Sequence, residues 1–187
     1  LWALEALRLV AQFLPRAVAD PGDDEARSAM CLAAAFAGIG FGNAGVHLPH
    51  GMSYPVAGMV ERYVPAGYAV NYPLVPHGFA VIVNSPAVFR FTATACPQRH
   101  LRAAKVLGAD CSGAKDADAG AILADRIVAL MRQLGAPNGL SALGYGHQHI
   151  SALVEGTLPQ HRVTKLSPRA ADAEDLAAIF ADAMQYW

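Results

Sequence analysis

Seven histidines are the residues of this sequence best suited to chemistry near neutral pH, and their spacing sorts them. His47 and His50 stand three apart, a separation that puts two side chains on one face of a helix. His77 follows Pro76 and precedes Gly78, at the start of a second helical stretch. Imidazole is a good ligand for iron, zinc, copper or nickel. A catalytic metal site needs three or more protein ligands and an open position. No carboxylate is obviously partnered with these histidines, because Asp20, Asp23 and Asp24 read as helix-capping turn residues. Spacing alone therefore leaves a metal site at His50 and His77 open and incomplete. His147 and His149, two apart, diverge on a helix and share a face only on a strand. His100 and His161 sit in ordinary helical or loop segments and read as core or surface residues.

Immediately before these histidines, Gly40, Gly42 and Gly45 spell G-x-G-x-x-G. That motif binds a dinucleotide when it joins a strand to a helix in a βαβ unit, with the pyrophosphate on the helix N-terminus. Here "CLAAAFAGI" precedes it, which is helix composition, and no parallel strands follow. Glu61 stands near where a ribose-binding acid would be, at a loose spacing. The expectation is that these glycines allow close helix packing and a turn that delivers His50.

The elements that must position these residues are helical. Residues 1–19 carry Leu7, Val10, Leu14 and Val18 at helical spacing, with Pro15 expected to kink or end the helix early. "DPGDD" is a turn, and the next helix runs from about Glu25 towards Gly45, with a sharp change of direction near Asn43 or Gly45. "HLPHGMSYPVAGMVERY" restarts as a helix broken at Pro55, and "VPAGYAVNYPLVP" is a loop. "HGFAVIVNSPAVFRFTATA" is the one β-rich stretch, yet no second strand exists to pair with it, so it is read as helix. Further helices span 97–107 and 117–134, stopped by Gly108 and by Gly135 with Pro137. "SALGYGHQHISALVEG" gives short helical pieces. Asp172 caps a last helix with Leu176, Ile179, Phe180, Ala183, Met184 and Trp187 on one stripe. The fold expected is all-α, a helical bundle formed by residues 1–187 as a single domain.

Bulk properties narrow the function classes. The chain of 187 residues is 54% hydrophobic and only 16% charged. That is apolar for a soluble domain and implies an Ala-rich core or a face that docks elsewhere. A net charge of −1 provides neither a basic face for nucleic acid nor a polybasic patch for lipid. No run reaches the roughly 18 apolar residues of a membrane span. Cys31, Cys96 and Cys111 are odd in number and far apart, which points to buried, reduced thiols and a cytoplasmic setting. The chain opens on Leu1 without an initiator Met or a signal peptide, and so reads as a piece of a longer protein.

Longer stretches carry a resemblance. "AFAGIGFGNAGVHLPHGMSYPVAG" followed by "YPLVPHGFAV", with "NSPAVFRFTA", "RHLRAAKVLGAD" and "TLPQHRVTKLSP", resembles the iron-dependent alcohol dehydrogenase family along essentially the whole chain. The likeness is to its hydroxyacid–oxoacid transhydrogenase branch. The resemblance implies the helical, dehydroquinate synthase-like C-terminal domain of a two-domain oxidoreductase. In that family a divalent metal, Fe²⁺ or alternatively Zn²⁺, is held by one Asp and three His. The last two His fall on His50 and His77, and the other two ligands fall before Leu1. A further family His is replaced here by Tyr54, as in the transhydrogenase branch, which makes His50 and Tyr54 the expected catalytic residues. His47 and the longer spacing from His50 to His77 point to the same branch. NAD(P) would be bound by a separate α/β domain, so the isolated chain is expected to be inactive and to hold metal weakly. Small-molecule substrates are implied, either alcohols or hydroxyacids and oxoacids such as 4-hydroxybutyrate and 2-oxoglutarate. Arg62 and Arg90 are the candidate cations for a substrate carboxylate. A homo-oligomer is expected, with no nucleic acid or membrane partner. The alternatives are an iron alcohol dehydrogenase of other specificity and a non-catalytic helical assembly module.

Overall fold

Ala- and Leu-rich segments resolve into ten α-helices and four short 3₁₀ turns, with no strand, in a computed structural model that describes all 187 residues. Helix α1 (Trp2–Ala19) and helix α2 (Asp24–Ala44) pack together as a hairpin around their own small core of Leu9, Phe13, Ala26 and Ala33. The turn between them is fixed by Asp23, whose carboxylate accepts the Ala26 N–H at 2.9 Å and also pairs with Arg16. Contrary to expectation, α1 runs through Pro15 without ending. A proline removes one backbone hydrogen bond and costs about 3 kcal/mol in an isolated helix. Here the packing of Leu9 and Phe13 against α2 outweighs that cost.

A larger core unites helices α3 (Leu48–Gly58), α4 (His77–Ile82), α5 (Ser85–Thr92), α6 (Pro97–Val106), α7 (Ala119–Gln133), α8 (Ile150–Thr157) and α10 (Ala173–Asp182), and the short α9 (His161–Thr164) packs onto α3. Met52, Val56, Val88, Leu153 and Phe180 are fully enclosed at its centre. Helix α3 touches α4, α8 and α9, and so links the segments that build the site. It too continues through its proline: Pro55 is buried, and the helix ends at Gly58. The ambiguous β-rich stretch is helical, as α4 and α5. Asp172 caps α10 by accepting the Asp175 N–H, and Leu176, Ile179 and Phe180 face inward, as the periodicity required. After α10 the chain folds back on residues 138–141, where Leu140 and Ser141 donate to Ala183 O and Met184 O at 2.9 Å each.

No single helix is long and apolar enough to cross a membrane. The expected change of direction is present, as a 109° bend between α2 and α3. The α1–α2 hairpin leaves Trp2, Leu32, Ile39 and Phe41 exposed, an uncovered apolar face of the kind the composition suggested. The thiols are all free, but Cys31 is exposed, not buried as expected, because it lies on the outer side of α2.

Candidate functional site

The G-x-G-x-x-G stretch forms the end of α2 and its cap, with no strand before it. Gly40 packs on Ala3 of α1, where an added Cβ would lie 3.5 Å away. Gly42 faces open space, so close packing explains only part of the motif. Gly45 has φ +76° and turns the chain, its N–H closing on Phe41 O at 2.7 Å. The chain then enters α3, where Pro49 occupies the first turn and His50 follows.

His50 is held from both sides. Leu48, Met52 and Val56 anchor α3 in the core, and Ser53 Oγ donates to His50 O at 2.7 Å. Gly51 lets α9 approach, since a Cβ there would lie 2.5 Å from the Thr164 side chain. His77 opens α4 directly after Pro76, whose carbonyl accepts the Ala80 N–H at 3.0 Å. Buried Val75 and Ala80 fix that corner. The two imidazoles meet with ring centroids 5.3 Å apart at 57°. The ring-nitrogen hydrogen bonds of the chain belong to His100 and His149, so neither His50 nor His77 is engaged by the protein. Burial, and secondarily the nearby His77, lowers the His50 pKa. His50 is therefore held in its neutral, ligand-competent form. Tyr54 lies one helical turn beyond His50 and is partly exposed.

His50, Tyr54 and His77 line one cleft of about 580 Å³, together with Phe41, Val46 and Arg162. No group of three or more His, Cys, Asp or Glu side chains is assembled anywhere in the chain. The pair is thus two donors without a third.

His47 does not share a face with His50. It is the residue before α3, with φ −135° and ψ −140°, so helical i,i+3 geometry does not apply. Its ring meets Phe89 edge-on at 6.4 Å, and its Nδ1 is buried without a partner. Burial, with smaller repulsion from His50 and His100, pushes its pKa down to about 4. The unfolded chain therefore takes up a proton at this side chain below its ordinary value of 6.5, while the folded chain does not until about pH 4. Stability is fully present above pH 6.5 and falls as pH drops through that window, by about 3 kcal/mol from this residue. His47→Phe is expected to flatten that part of the pH dependence, read as urea midpoints at pH 7 and pH 4.5. An unchanged slope would show that His47 is not the titrating group.

The remaining histidines are structural or peripheral. His100 is buried and bonded to Thr92 Oγ1 and Cys96 O. His149 caps its own 3₁₀ turn by accepting the Gly146 N–H at 2.8 Å, beside Tyr145, and His147 stands apart from it. Neither candidate cation reaches the cleft. Arg90 pairs with Asp182 at 2.9 Å and Asp125 at 3.6 Å, and Arg62 lines a different cavity with Glu61 and His149. The cation that does line the cleft, Arg162, was not singled out. Its one trace was its place in the "TLPQHRVTKLSP" stretch, because only tertiary packing brings α9 to α3.

A sequence model described as the Fe-containing alcohol dehydrogenase family, C-terminal, matches residues 1–184. The chain is 59% identical over 186 residues to the mitochondrial hydroxyacid-oxoacid transhydrogenase of Xenopus laevis, and 56% identical over 187 residues to that of Homo sapiens. Both matches cover 100% of this chain and 40% of the relative, so the chain spans well under half the length of these curated proteins. Among solved structures, 1,3-propanediol oxidoreductase superposes with a TM-score of 0.85 at 28% identity, over 98% of this chain and 44% of that one. The archaeal halo-thermophilic Red Sea brine pool alcohol dehydrogenase ADH/D1 gives 0.83 at 26%, with the same coverage. The all-α bundle is therefore the fold these proteins share. The similar transhydrogenases are mitochondrial by name, which overturns the cytoplasmic expectation. Free thiols do not separate one reducing compartment from another. An organelle address is carried at a precursor's N-terminus, whereas the matched family model is a C-terminal one.

Proposed function

The chain belongs to the Fe-containing alcohol dehydrogenase family, and from that premise we propose that it is the helical catalytic domain of a metal-dependent, NAD(P)-linked hydroxyacid–oxoacid transhydrogenase. The observation that carries the reading is the His50–His77 pair: two imidazoles that converge at 5.3 Å, unbonded by the protein, in a cleft with Tyr54. Two neutral nitrogen donors fit Fe²⁺ or Zn²⁺, and they leave positive charge on the ion. They are two of a larger set, and the family resemblance assigns the other ligands, an Asp and a His, to the stretch before Leu1. Bound there, a divalent metal supplies Lewis acidity to a substrate oxygen.

The chain's own residues do the rest. The packing of Leu48, Met52 and Val56 holds the His50 ring in place, and burial keeps it unprotonated. Phe41, Val46 and Leu166 give the cleft apolar walls along which the carbon stem of a substrate can lie. Tyr54 places a hydroxyl within the same cleft, where it can hold a proton near the substrate oxygen. The nicotinamide is carried by a domain other than this one, and alignment of its hydride with the substrate carbon is the joint task of the two.

The test is a coupled assay of the full-length protein with 4-hydroxybutyrate and 2-oxoglutarate. The expected result is semialdehyde and 2-hydroxyglutarate formed one for one, with no net accumulation of reduced cofactor. Aldehyde matched by free reduced cofactor would instead make it a plain dehydrogenase, and no turnover would leave a non-catalytic module.

A further inference from the structure

We infer that Arg162 is the residue that recognises the substrate carboxylate, and that it gives this cleft its preference for hydroxyacids and oxoacids over uncharged alcohols. The inference rests on the function proposed above and names the residue responsible for its substrate class. Arg162 is the one cation lining the cleft that contains His50, Tyr54 and His77, and no acidic side chain lines that cleft. It forms no ion pair or side-chain hydrogen bond with the protein. Two other arginines are committed elsewhere: Arg90 to Asp182 and Asp125, and Arg169 to Asp175 and the Phe91 ring. A guanidinium presents a planar fork of N–H donors that matches both oxygens of a carboxylate. One left unpaired, in a cleft without an acid, is a ready anion site.

The Arg162 side chain is exposed, but the backbone that carries it is set by packing. Helix α9 is short, but Val163 is buried, and its N–H bonds to Gln160 O at 3.0 Å. Thr164 sits directly on Gly51, the residue after His50. The backbone that carries Arg162 is thus fixed against the backbone that carries His50. Val163, Leu166 and Phe41 line the same cleft as apolar wall. A small acid can then place its carboxylate at Arg162, its aliphatic stem along that wall, and its hydroxyl or keto carbon at the His50–His77 end. Diols and simple alcohols would occupy the same wall without the ionic anchor.

The experiment compares Arg162→Gln and Arg162→Lys with wild type in the full-length protein, using 4-hydroxybutyrate and its uncharged analogue 1,4-butanediol. Loss of a charge-assisted pair is expected to raise KM for the acid by about tenfold to a hundredfold in Arg162→Gln. Diol turnover should stay within about twofold, and Arg162→Lys should recover part of the acid affinity because it keeps the charge and loses the fork. An unchanged acid-over-diol preference in Arg162→Gln overturns this inference and leaves the proposed function standing. Loss of diol turnover in parallel with acid turnover makes the side chain structural and also overturns it. A wild-type enzyme that does not oxidise the acid overturns both readings together.

Discussion

His77→Ala in the full-length protein is expected to lower the rate of hydride exchange by at least about a thousandfold while leaving the helical fold intact. The side chain sits at the first position of α4, is exposed, and bonds to no protein group. Truncating such a residue changes stability by about 0.5 kcal/mol or less. The contribution proposed for it in the reaction is of another order. Lewis-acid stabilisation of a developing charge is worth several kcal/mol, and each 1.4 kcal/mol or so is tenfold in rate. His50→Ala should behave alike, with an added packing loss because His50 is half-buried. The check is the steady-state exchange rate beside a thermal melt of each variant. A rate within tenfold of wild type, with the fold retained, would remove His77 from the reaction.

Gly139→Ala is expected to be severely damaging to the fold. Gly139 has φ +68°, and a Cβ there would lie 2.5 Å from Met184 O and 2.6 Å from Ala183 O. Those carbonyls accept the Leu140 and Ser141 N–H groups, and Asn138 Oδ1 accepts the Tyr186 N–H at 2.8 Å. The obstacle is backbone on both sides, so no side chain can swing aside. The left-handed conformation costs an L-residue about 1–2 kcal/mol. Displacing the C-terminal segment adds about 1 kcal/mol for each hydrogen bond lost. A total of about 3–5 kcal/mol is a large share of a typical stability of about 5–15 kcal/mol. The melting temperature is expected to drop by roughly 10 °C. Gly135→Ala is the control: its φ is +67°, but nothing lies within 4 Å of its Cβ, so only the conformational cost applies. Equal losses at the two positions would show that the close approach to Ala183 and Met184 is not what matters.

The parts of this molecule that follow a local rule were legible in its sequence. Asp172 before a stripe of Leu176, Ile179 and Phe180 defines α10 by capping and period, and the structure places each as expected. Gly45 turns the chain because a positive φ suits glycine, and the bend falls where the run of small residues ends. Where tertiary packing overrides a local rule, the reading failed. Pro15 and Pro55 lie inside continuous helices, since one missing hydrogen bond is outweighed by the buried face of each helix. His47 left the face of His50 because a residue before the first helical turn has its own φ and ψ. The site divides in the same way. Meeting of His50 and His77 depends on how residues 59–76 fold back, which periodicity does not encode, so spacing left the pair open and incomplete until the family motifs matched it. Arg162 comes to them on α9 through the Gly51–Thr164 contact, a long-range packing event with no local signature.

The central claim is that His50 and His77 hold a catalytic divalent metal, and its most direct test is elemental analysis of the full-length protein after exhaustive dialysis, beside the His50→Ala/His77→Ala double variant. Wild type is expected to retain about one iron or zinc per chain, and the folded double variant close to none. A double variant that keeps as much metal as wild type would contradict the claim.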